Sequence, residues 1–454
     1  MNNITKACLD FAFNLKFDDT APNTCEQMKK YIFDLICCAV AGSKTKEVDA
    51  FKYLCRLNDV QTGITPLGLT HPTSLYYAAL LNGASGHALE MDDSDRTGLS
   101  HPGVMVITPA LLAGCMQHSS GKDFLTACIA GYEIMLRVGA ALGLSHYALW
   151  HTTGTTGPLG GSIAVGKLNK FTRDQLGHAF GNAGTLCSGL WEFNATKAQS
   201  KILHVGHGVA DSILVCQLAS QNFTGADKIL EGKQGLFKGF HEENFDECIF
   251  QDYGSMWRSD GVSFKPYPCC RHTHGGIDAG LELHRKLGNV SAEEIEKVVI
   301  ETYQAAYDVV GTKKISSVKD AKFSLPFTVC TAIADGAVSE ESFGEKSLRD
   351  KSKLSLVEKC TVCVGPDIQA IHPFHEQSRV TLEMKSGEKI SVFIADPLGE
   401  PETPLDWPDL VAKAKTLLPF ISENEMNELQ ERVRTIEEED ISLLYQFIHS
   451  LSLK

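Results

Sequence analysis

Basic residues are too few in this 454-residue chain to balance the acidic ones. It has 42 lysines and arginines against 56 aspartates and glutamates, which gives a formal net charge of −14. Nucleic acids and anionic membrane surfaces both bind proteins through a net basic face. We therefore expect neither as a partner. A local cationic pocket for a small anionic substrate stays compatible with this charge.

Long apolar runs are scarce as well. The N-terminal residues lack a basic stretch followed by an apolar one, so the sequence predicts no signal peptide. The most apolar early segment, residues 31–42, is interrupted by Asp34 and is too short to span a bilayer. The 15 cysteines are then expected to be reduced thiols in a cytoplasmic protein. Cys360 and Cys363 form a CxxC in a predicted strand, where their side chains would point to opposite faces. This indicates two core cysteines rather than a zinc or redox site.

Internal repeats and low-complexity segments are also lacking, and the length favours two domains. Helical periodicity fills residues 20–265. After Lys265, residues 296–302 alternate and residues 380–394 predict a hairpin. Helical periodicity returns beyond the proline-containing segment 397–404. The sequence predicts a mainly α fold: a large all-helical domain of residues 1–265 and 402–454, with a smaller α+β lid domain of residues 266–401.

The first candidate site is a dense group of acidic and histidine residues. Such a group is typical of a metal site, of a general acid/base site, or of a solvated acidic loop at a helix end. Pro102 and Gly103 predict a helix start that would hold His101 rigidly at the helix entrance, a position that suits a catalytic group. The group consists of His87, Glu90, Asp92, Asp93, Asp95 and His101.

Two further segments carry candidate anion contacts. Residues 150–161 are rich in glycine and threonine but lack the residue order of a nucleotide-binding phosphate loop. His151 precedes a predicted helix there, where free backbone N–H groups favour an anion. Lys201, His204 and His207 have the spacing of one helix face. One alternative is that these three side chains form a cationic stripe exposed to solvent. Apolar residues further along the helix favour a Lys201 side chain that points into the protein, where an anionic substrate would balance its charge.

A fourth segment, residues 264–274, lies at the change of pattern. Its spacing of cysteines and histidines matches no standard zinc site, so we expect no metal there. Two prolines with Lys265 and Arg271 at a domain hinge favour substrate clamping instead. The metal alternative would use Cys269, Cys270, His272 and His274.

Taken in order, these segments resemble the MmgE/PrpD family, which contains 2-methylcitrate dehydratases, cis-aconitate decarboxylases and iminodisuccinate epimerases. The resemblance covers most of the chain. It implies a homodimer, an all-helical domain with an α+β lid, an active site between the domains, and catalysis without metal or organic cofactor. The matching stretches are residues 87–103, 150–161, 200–206, 223–225 with 229–232, 265–274, and 321–327 with 335–336.

The resemblance also implies roles for individual residues. By motif position, the catalytic and carboxylate-binding residues are His101, His151, Lys201 and Lys265, with Glu90 and Ser94 beside them. We add Asp93 and Arg271 as candidates for substrate binding. The four catalytic candidates are expected to converge on one concave site. Their mutual repulsion should depress lysine or histidine pKa values unless Glu90 or Asp93 compensates.

The predicted chemistry is proton removal next to a carboxylate of a small di- or tricarboxylate. Fixed cations would stabilise an enolate-like charge while a histidine acts as base. Dehydration, decarboxylation and epimerisation share that intermediate. Glu90, Phe327 and Cys270 stand where decarboxylases of the family have aspartate, tyrosine and, in some members, histidine. We therefore expect a hydro-lyase resembling 2-methylcitrate dehydratase, with Phe327 excluding efficient cis-aconitate decarboxylation.

Alternatives stay open at this point. Within the family they are an epimerase or a decarboxylase acting on iminodisuccinate or cis-aconitate. From another class, a metal-dependent hydrolase would use His87, Glu90, Asp92, Asp93 and His101. A catalytically inactive scaffold of the same fold is the third alternative. Metal analysis and a chelator assay would distinguish the hydrolase, and a substrate screen would distinguish the family activities.

Overall fold

A computed structural model describes residues 3–196, 198–240, 247–288 and 291–454. The described chain is mostly helical and contains a small mixed sheet, which confirms the predicted mainly α fold. Contacts divide the chain into two compact units. The first is Met1–Val262 with Asp406–Lys454, and the second is Ser263–Leu405. That the second unit acts as a lid stays a prediction.

The first unit is built from helices whose ends follow local sequence signals. Pro22 begins α2 at a position where its missing N–H costs nothing. The Thr172 hydroxyl accepts from the Gln175 N–H and the Gln175 side chain accepts from the Thr172 N–H, which is the predicted capping box of α8. The elements are α1 Ile4–Asn14, α2 Pro22–Gly42, α3 Asp49–Leu57, β1 Asp59–Ile64, α4 Leu75–His87, α5 Pro102–Gln117, α6 Gly121–Tyr147, α7 Thr152–Leu168, α8 Arg173–Thr185, α9 Phe193–Thr196, α10 Ser200–Ser220 and α11 Leu236–Phe240.

Small residues let the central helices of this unit approach closely. A side chain at Gly131 in α6 would meet the carbonyl oxygen of Gly160 in α7 at 2.7 Å, and one at Gly160 would meet that of Gly131 at 2.8 Å. By length and composition, α6 and α10 could each cross a membrane. Their most apolar stretches are 83% and 67% buried inside the protein, as is usual for core helices.

The second unit combines short helices with a four-stranded sheet. The strand order is β3-β2-β4-β5, with β2 parallel to β3 and antiparallel to β4. The predicted strand and hairpin are both present, and Val380 pairs with Val392 across the hairpin. The elements are α12 His274–Leu287, β2 Ile295–Thr302, α13 Gln304–Val310, α14 Val318–Lys322, α15 Leu325–Asp335, α16 Glu345–Leu348, α17 Lys351–Glu358, β3 Cys360–Val364, α18 Pro366–Ile371, β4 Ser378–Met384 and β5 Lys389–Ile394.

One apolar core holds the second unit together. It contains inward residues of the sheet, such as Val298 and Leu382, and of α12 and α15. Cys360 lies in this core, whereas Cys363 is partly exposed, as expected for two strand residues on opposite faces. Phe327 is also fully buried here, with its ring 6.2 Å from that of Phe343. This placement in the core gives no support to a direct effect of Phe327 on a substrate.

The C-terminal helices return to the first unit. They are α19 Trp407–Leu417, α20 Glu423–Arg434 and α21 Ile441–Ser452, and α20 begins with the capping box predicted at Ser422 and Glu425. In α19, the ammonium of Lys413 forms a buried ion pair with Asp34 of α2 (2.6 Å) and donates to the carbonyl oxygen of Met91 (2.7 Å). The C-terminal segment therefore supports the loop between α4 and α5.

Candidate active site

The loop between α4 and α5 carries the first part of the site. His87 ends α4, and its Nδ1 lies 2.8 and 2.9 Å from the two carboxylate oxygens of Asp92. His87 and Asp92 are both fully buried. Glu90, between them, has a backbone φ of 59°, a left-handed conformation that non-glycine residues adopt rarely and usually where the surrounding structure enforces it. Its side chain has such an anchor in Lys201, described below.

Asp93 joins this loop to the start of α5. One carboxylate oxygen accepts from the Gly103 N–H (2.8 Å) and the other from the Tyr132 hydroxyl (2.7 Å). Only glycine fits at position 103, because a Cβ there would lie 2.8 Å from Asp93 Oδ1 and 2.9 Å from the tyrosine oxygen. Burial, with a smaller contribution from the charge of Asp92, raises the pKa of Asp93 to about 8. Asp93 thus fixes the helix start, and its contact with substrate stays a prediction.

His101 occupies the position that caps the N-terminus of α5, as the sequence predicted. Its Nδ1 lies 2.7 Å from the carbonyl oxygen of Asp93. A carbonyl only accepts hydrogen bonds, so Nδ1 carries the proton and a neutral ring has its lone pair on Nε2. The backbone N–H of His101 donates to the Thr153 hydroxyl of α7 (3.0 Å), which holds the N-termini of α5 and α7 together.

His151 occupies the corresponding position at the N-terminus of α7. Its backbone N–H donates to the carbonyl oxygen of Gly189 (2.6 Å), whose φ of 114° favours glycine. The side chain is buried, and neither ring nitrogen has a hydrogen-bond partner among the residues that the structure describes. Burial, followed by the charge of Lys201 and the neighbouring histidines, lowers the pKa of His151 well below its usual value. The ring is therefore neutral at pH 7.

Lys201 lies in the first turn of α10 and points inward, as predicted. Its ammonium lies 2.7 Å from each carboxylate oxygen of Glu90, and both side chains are about 90% buried, at 10% and 11% exposure. The nearer oxygen of Glu90 is 3.5 Å from His87 Nε2. The sequence predicts that either Glu90 or Asp93 balances the positive charge of the catalytic candidates. In the structure, Glu90 balances the charge of Lys201. Two histidines nearby have lowered pKa values. They are His151, as described above, and the more exposed His204, whose pKa is about 4.

Three imidazoles come together at this point. The ring centroids of His87 and His101 are 4.7 Å apart, and that of His151 lies 6.1 and 6.3 Å from them. One ring nitrogen from each lies within 4.8 Å of the other two, a spacing that could hold a metal ion. Trp191 packs 5.1 Å from His151 and His204 lies 5.7 Å from it, so aromatic rings close one side of the group.

The second unit holds the remaining candidates. Lys265 is fully buried. Arg271 donates to Glu400 through Nε (3.1 Å) and Nη2, and through Nη1 to the carbonyl oxygens of Phe264 and Leu398 (3.2 and 3.1 Å). These acceptors all belong to the second unit, so Arg271 holds residues 397–400. Its contact with substrate stays a prediction.

The cysteines and histidines near Arg271 have protein partners of their own. Cys269 Sγ lies 3.1 Å from the Thr273 hydroxyl, and His272 Nδ1 lies 2.7 Å from the Tyr303 hydroxyl. His274 Nδ1 lies 3.0 Å from Arg271 Nη1. The expectation that this segment holds no metal stays a prediction.

The structure therefore brings His101, His151, Lys201 and Glu90 together, while Ser94 is partly buried in the same loop. Sequence reasoning placed His87 and Asp92 in the acidic cluster but did not predict their direct pairing. It also missed Tyr132, which holds Asp93 from α6. A five-residue separation made the first pair foreseeable once α4 was known to end at His87; nothing local pointed to Tyr132.

Two family models match the chain: the MmgE/PrpD N-terminal domain over residues 7–247 and the MmgE/PrpD C-terminal domain over residues 267–439. Together they span most of its length. The chain belongs to the MmgE/PrpD family. Membership confirms the predicted family and a lyase-type enzyme.

Several curated relatives of this chain are cis-aconitate decarboxylases. That of Aspergillus terreus (strain NIH 2624 / FGSC A1156) is 24% identical, over 97% of this chain and 93% of its own length. Those of Mus musculus and Homo sapiens are each 24% identical over 81% of this chain, and the match covers 77% and 78% of their own lengths.

Proposed function

We propose that this MmgE/PrpD protein is a lyase that removes a proton next to a carboxylate of a small di- or tricarboxylate. Dehydration of a hydroxy acid, as in 2-methylcitrate dehydratases, is the reaction we put first. A base takes the C–H proton, the carbon–oxygen bond breaks, and the hydroxyl leaves as water. Decarboxylation is the second candidate, because the relatives named above are cis-aconitate decarboxylases. Epimerisation would instead return a proton to the opposite face of the same carbon of the shared intermediate.

The observation that carries the proposal is the position of His151. It is a buried, neutral imidazole at the N-terminus of α7, and its ring nitrogens have no hydrogen-bond partner within the described chain. An unpaired buried polar group is costly, and it is best explained by a ligand that completes it. Helix N-termini attract anions, and those of α5 and α7 are tied together here. An anionic substrate would raise the pKa of His151 towards neutrality.

His101 is the proposed base. Its hydrogen bond to the Asp93 carbonyl places a proton on Nδ1 and fixes the ring direction, so Nε2 is the nitrogen that would accept the substrate proton. Asp92 Oδ2 lies 3.8 Å from His101 Nδ1 and favours the protonated ring after transfer. His151 would then donate or accept at the leaving group, so two imidazoles on neighbouring helix ends divide the acid and base roles.

Lys201 is the proposed carboxylate contact. It holds the Glu90 carboxylate through two short hydrogen bonds, a geometry in which a substrate carboxylate could share or replace Glu90. Lys265, a fully buried lysine in the segment 265–274 that resembles the family, is proposed as a second such contact, and Ser94 as a hydroxyl contact. A homodimeric assembly, a cytoplasmic location and a reaction without metal or cofactor stay predictions.

The test is a screen with 2-methylcitrate, cis-aconitate and iminodisuccinate, in which the product is identified by NMR. We expect turnover of at least one of them. His151→Ala and Lys201→Ala should each lower kcat by about 100-fold or more, because each removes a group that stabilises developing charge or transfers a proton. Both should keep a cooperative thermal transition close to that of the parent protein.

His207→Ala is the matched control, since His207 lies on the same helix as Lys201 but is 42% exposed and paired with Asp211. Its activity should equal that of the parent. The proposal is wrong if none of the three compounds is converted, or if His151→Ala converts them at the parental rate. Loss of activity on chelation would instead support the metal-dependent hydrolase.

A further inference from the structure

His87, His101 and His151 come from three separate elements, yet they present ring nitrogens within 4.8 Å of one another. His87 ends α4, and the other two cap α5 and α7. In a tetrahedral zinc site the metal–nitrogen distance is about 2.0–2.1 Å, so ligand nitrogens lie about 3.3 Å apart. The three rings would therefore move closer together when they bind the ion.

The hydrogen bonds behind two of these rings are those of metal-bound histidines. Such a histidine donates its second ring N–H to a carboxylate or a backbone carbonyl, which orients the ring and makes the free nitrogen more basic. His87 Nδ1 is bound to the Asp92 carboxylate, and His101 Nδ1 to the Asp93 carbonyl. Both arrangements direct Nε2 lone pairs away from these partners. His151, buried without a hydrogen-bond partner in the described chain, completes the set.

The ligand type indicates which metal the three rings would hold. Imidazole nitrogens select zinc and its neighbours over magnesium or calcium, which prefer oxygen ligands. The charged side chains beside the rings are Lys201 and Glu90, which form an ion pair, and Asp92, whose carboxylate contacts His87.

From these observations we propose that His87, His101 and His151 bind one zinc-class divalent cation, which inhibits the enzyme by occupying the place of the substrate. The inhibitory part rests on the function proposed above, in which His101 and His151 act on the substrate. The binding part does not, because it depends only on the three ligands and their partners. The ion would bind His101 and His151, the two histidines to which the proposed function assigns proton transfer.

Binding is tested on the full chain after treatment with a chelator. Isothermal titration with Zn²⁺ and the visible absorption of added Co²⁺ should both show one strong site per chain that depends on the histidines. His151→Ala and His101→Ala should each weaken Zn²⁺ binding at least about tenfold. Testing two variants, each with its melting temperature, separates loss of a ligand from loss of folding.

His375→Ala is the matched control for binding. His375, Asp396 and Glu402 form another candidate ligand group, in the second unit and more exposed. This variant should keep the strong site. If His375→Ala loses it while His151→Ala and His101→Ala keep it, the proposal is wrong.

Inhibition is tested with the substrate identified by the screen. Zn²⁺ should raise the apparent KM, and a chelator should restore the parental rate. Turnover without any histidine-dependent Zn²⁺ binding overturns this inference and leaves the proposed function standing. Zn²⁺ binding without turnover of any tested compound overturns the proposed function and leaves the metal-binding part of this inference standing. Activation by Zn²⁺ would contradict the inhibitory role and support the hydrolase.

Discussion

Opposing effects act on the pKa of the Asp93 carboxyl group. Two hydrogen bonds, from Gly103 and Tyr132, favour its ionised form, while complete burial and the nearby Asp92 favour the neutral one. Burial prevails, so the pKa of Asp93 is about 8 in the folded protein against about 3.9 for an unfolded chain. Between these values the folded state holds one proton more than the unfolded state.

This difference predicts a pH dependence of stability. The free energy of unfolding should fall as pH rises from about 4 to 8, because the unfolded state binds fewer protons in that window. The contribution of Asp93 to the slope is at most about 1.4 kcal/mol per pH unit. Asp93→Asn keeps an acceptor for the Gly103 N–H and cannot titrate, so its slope should be flatter by that amount.

The measurement is urea unfolding of both proteins between pH 5 and 8. Only the difference in slope between parent and variant matters, because other groups that titrate contribute equally to both. Parallel stability curves for the two proteins would show that Asp93 is already ionised at pH 5 in the folded state. Parental stability rising faster with pH than that of the variant would show that its folded-state pKa lies below the unfolded one.

At the residue scale, the sequence predicted which residues lie at helix ends better than it predicted which side chains pair with each other. His101 and His151 were placed at helix entrances from the proline and the glycine-rich segments that follow them, both local signals. The pairing of Lys201 with Glu90 joins residues 111 positions apart. Such a pair depends on how α10 packs beside the loop after α4, so the sequence left Glu90 and Asp93 as two options. Likewise, nothing local identifies Glu400 as the partner of Arg271, whose contact with substrate stays a prediction.

At the scale of elements, α19 supports the candidate site from outside it. Lys413 is bound to Asp34 and to the carbonyl oxygen of Met91, so one side chain joins α19, α2 and the loop that carries Glu90 and Asp92. Both charged groups are at least 95% buried. Removing one partner of a buried ion pair leaves the other charge uncompensated, at a cost of about 3–5 kcal/mol.

Lys413→Met should therefore lower the free energy of unfolding by about 3–5 kcal/mol, as measured by urea denaturation. Lys415→Met is the matched control on the same helix. Lys415 pairs with Glu423 but both side chains are about half exposed, at 47% and 66%, so its loss should cost less than about 1 kcal/mol. Adding Asp34→Asn to Lys413→Met should recover part of the loss; equal stabilities of the two single variants would refute the argument.

Elements with local signals were predicted well. The capping boxes at Thr172 and Ser422 each depend on two residues three positions apart, and the hairpin of β4 and β5 depends on alternation around Gly387. The pairing of β2 with β3 could not be predicted in this way. Those strands are parallel and separated by five helices, so their register follows from packing over a long stretch of chain.

At the scale of the molecule, the change of pattern after Lys265 predicted that a second structural unit begins there. What ends that unit is less visible in the sequence, because residues 397–404 only indicate a linker. In the structure its two ends meet: the Phe264 N–H donates to the Gly399 carbonyl (2.9 Å), and the Ser263 hydroxyl donates to Glu400 (2.6 Å). Arg271, bound to Glu400, closes the same junction.

This closed junction predicts that residues 263–405 fold when produced alone. The segment has its own apolar core and its own sheet, and its ends are already held next to each other. A domain of about 140 residues is of ordinary size. We expect a cooperative thermal transition with mixed helix and strand in circular dichroism. Residues 291–405, which lack α12 from the face of β4 and β5, should show no such transition. If 263–405 also unfolds without cooperativity, its core depends on the rest of the chain.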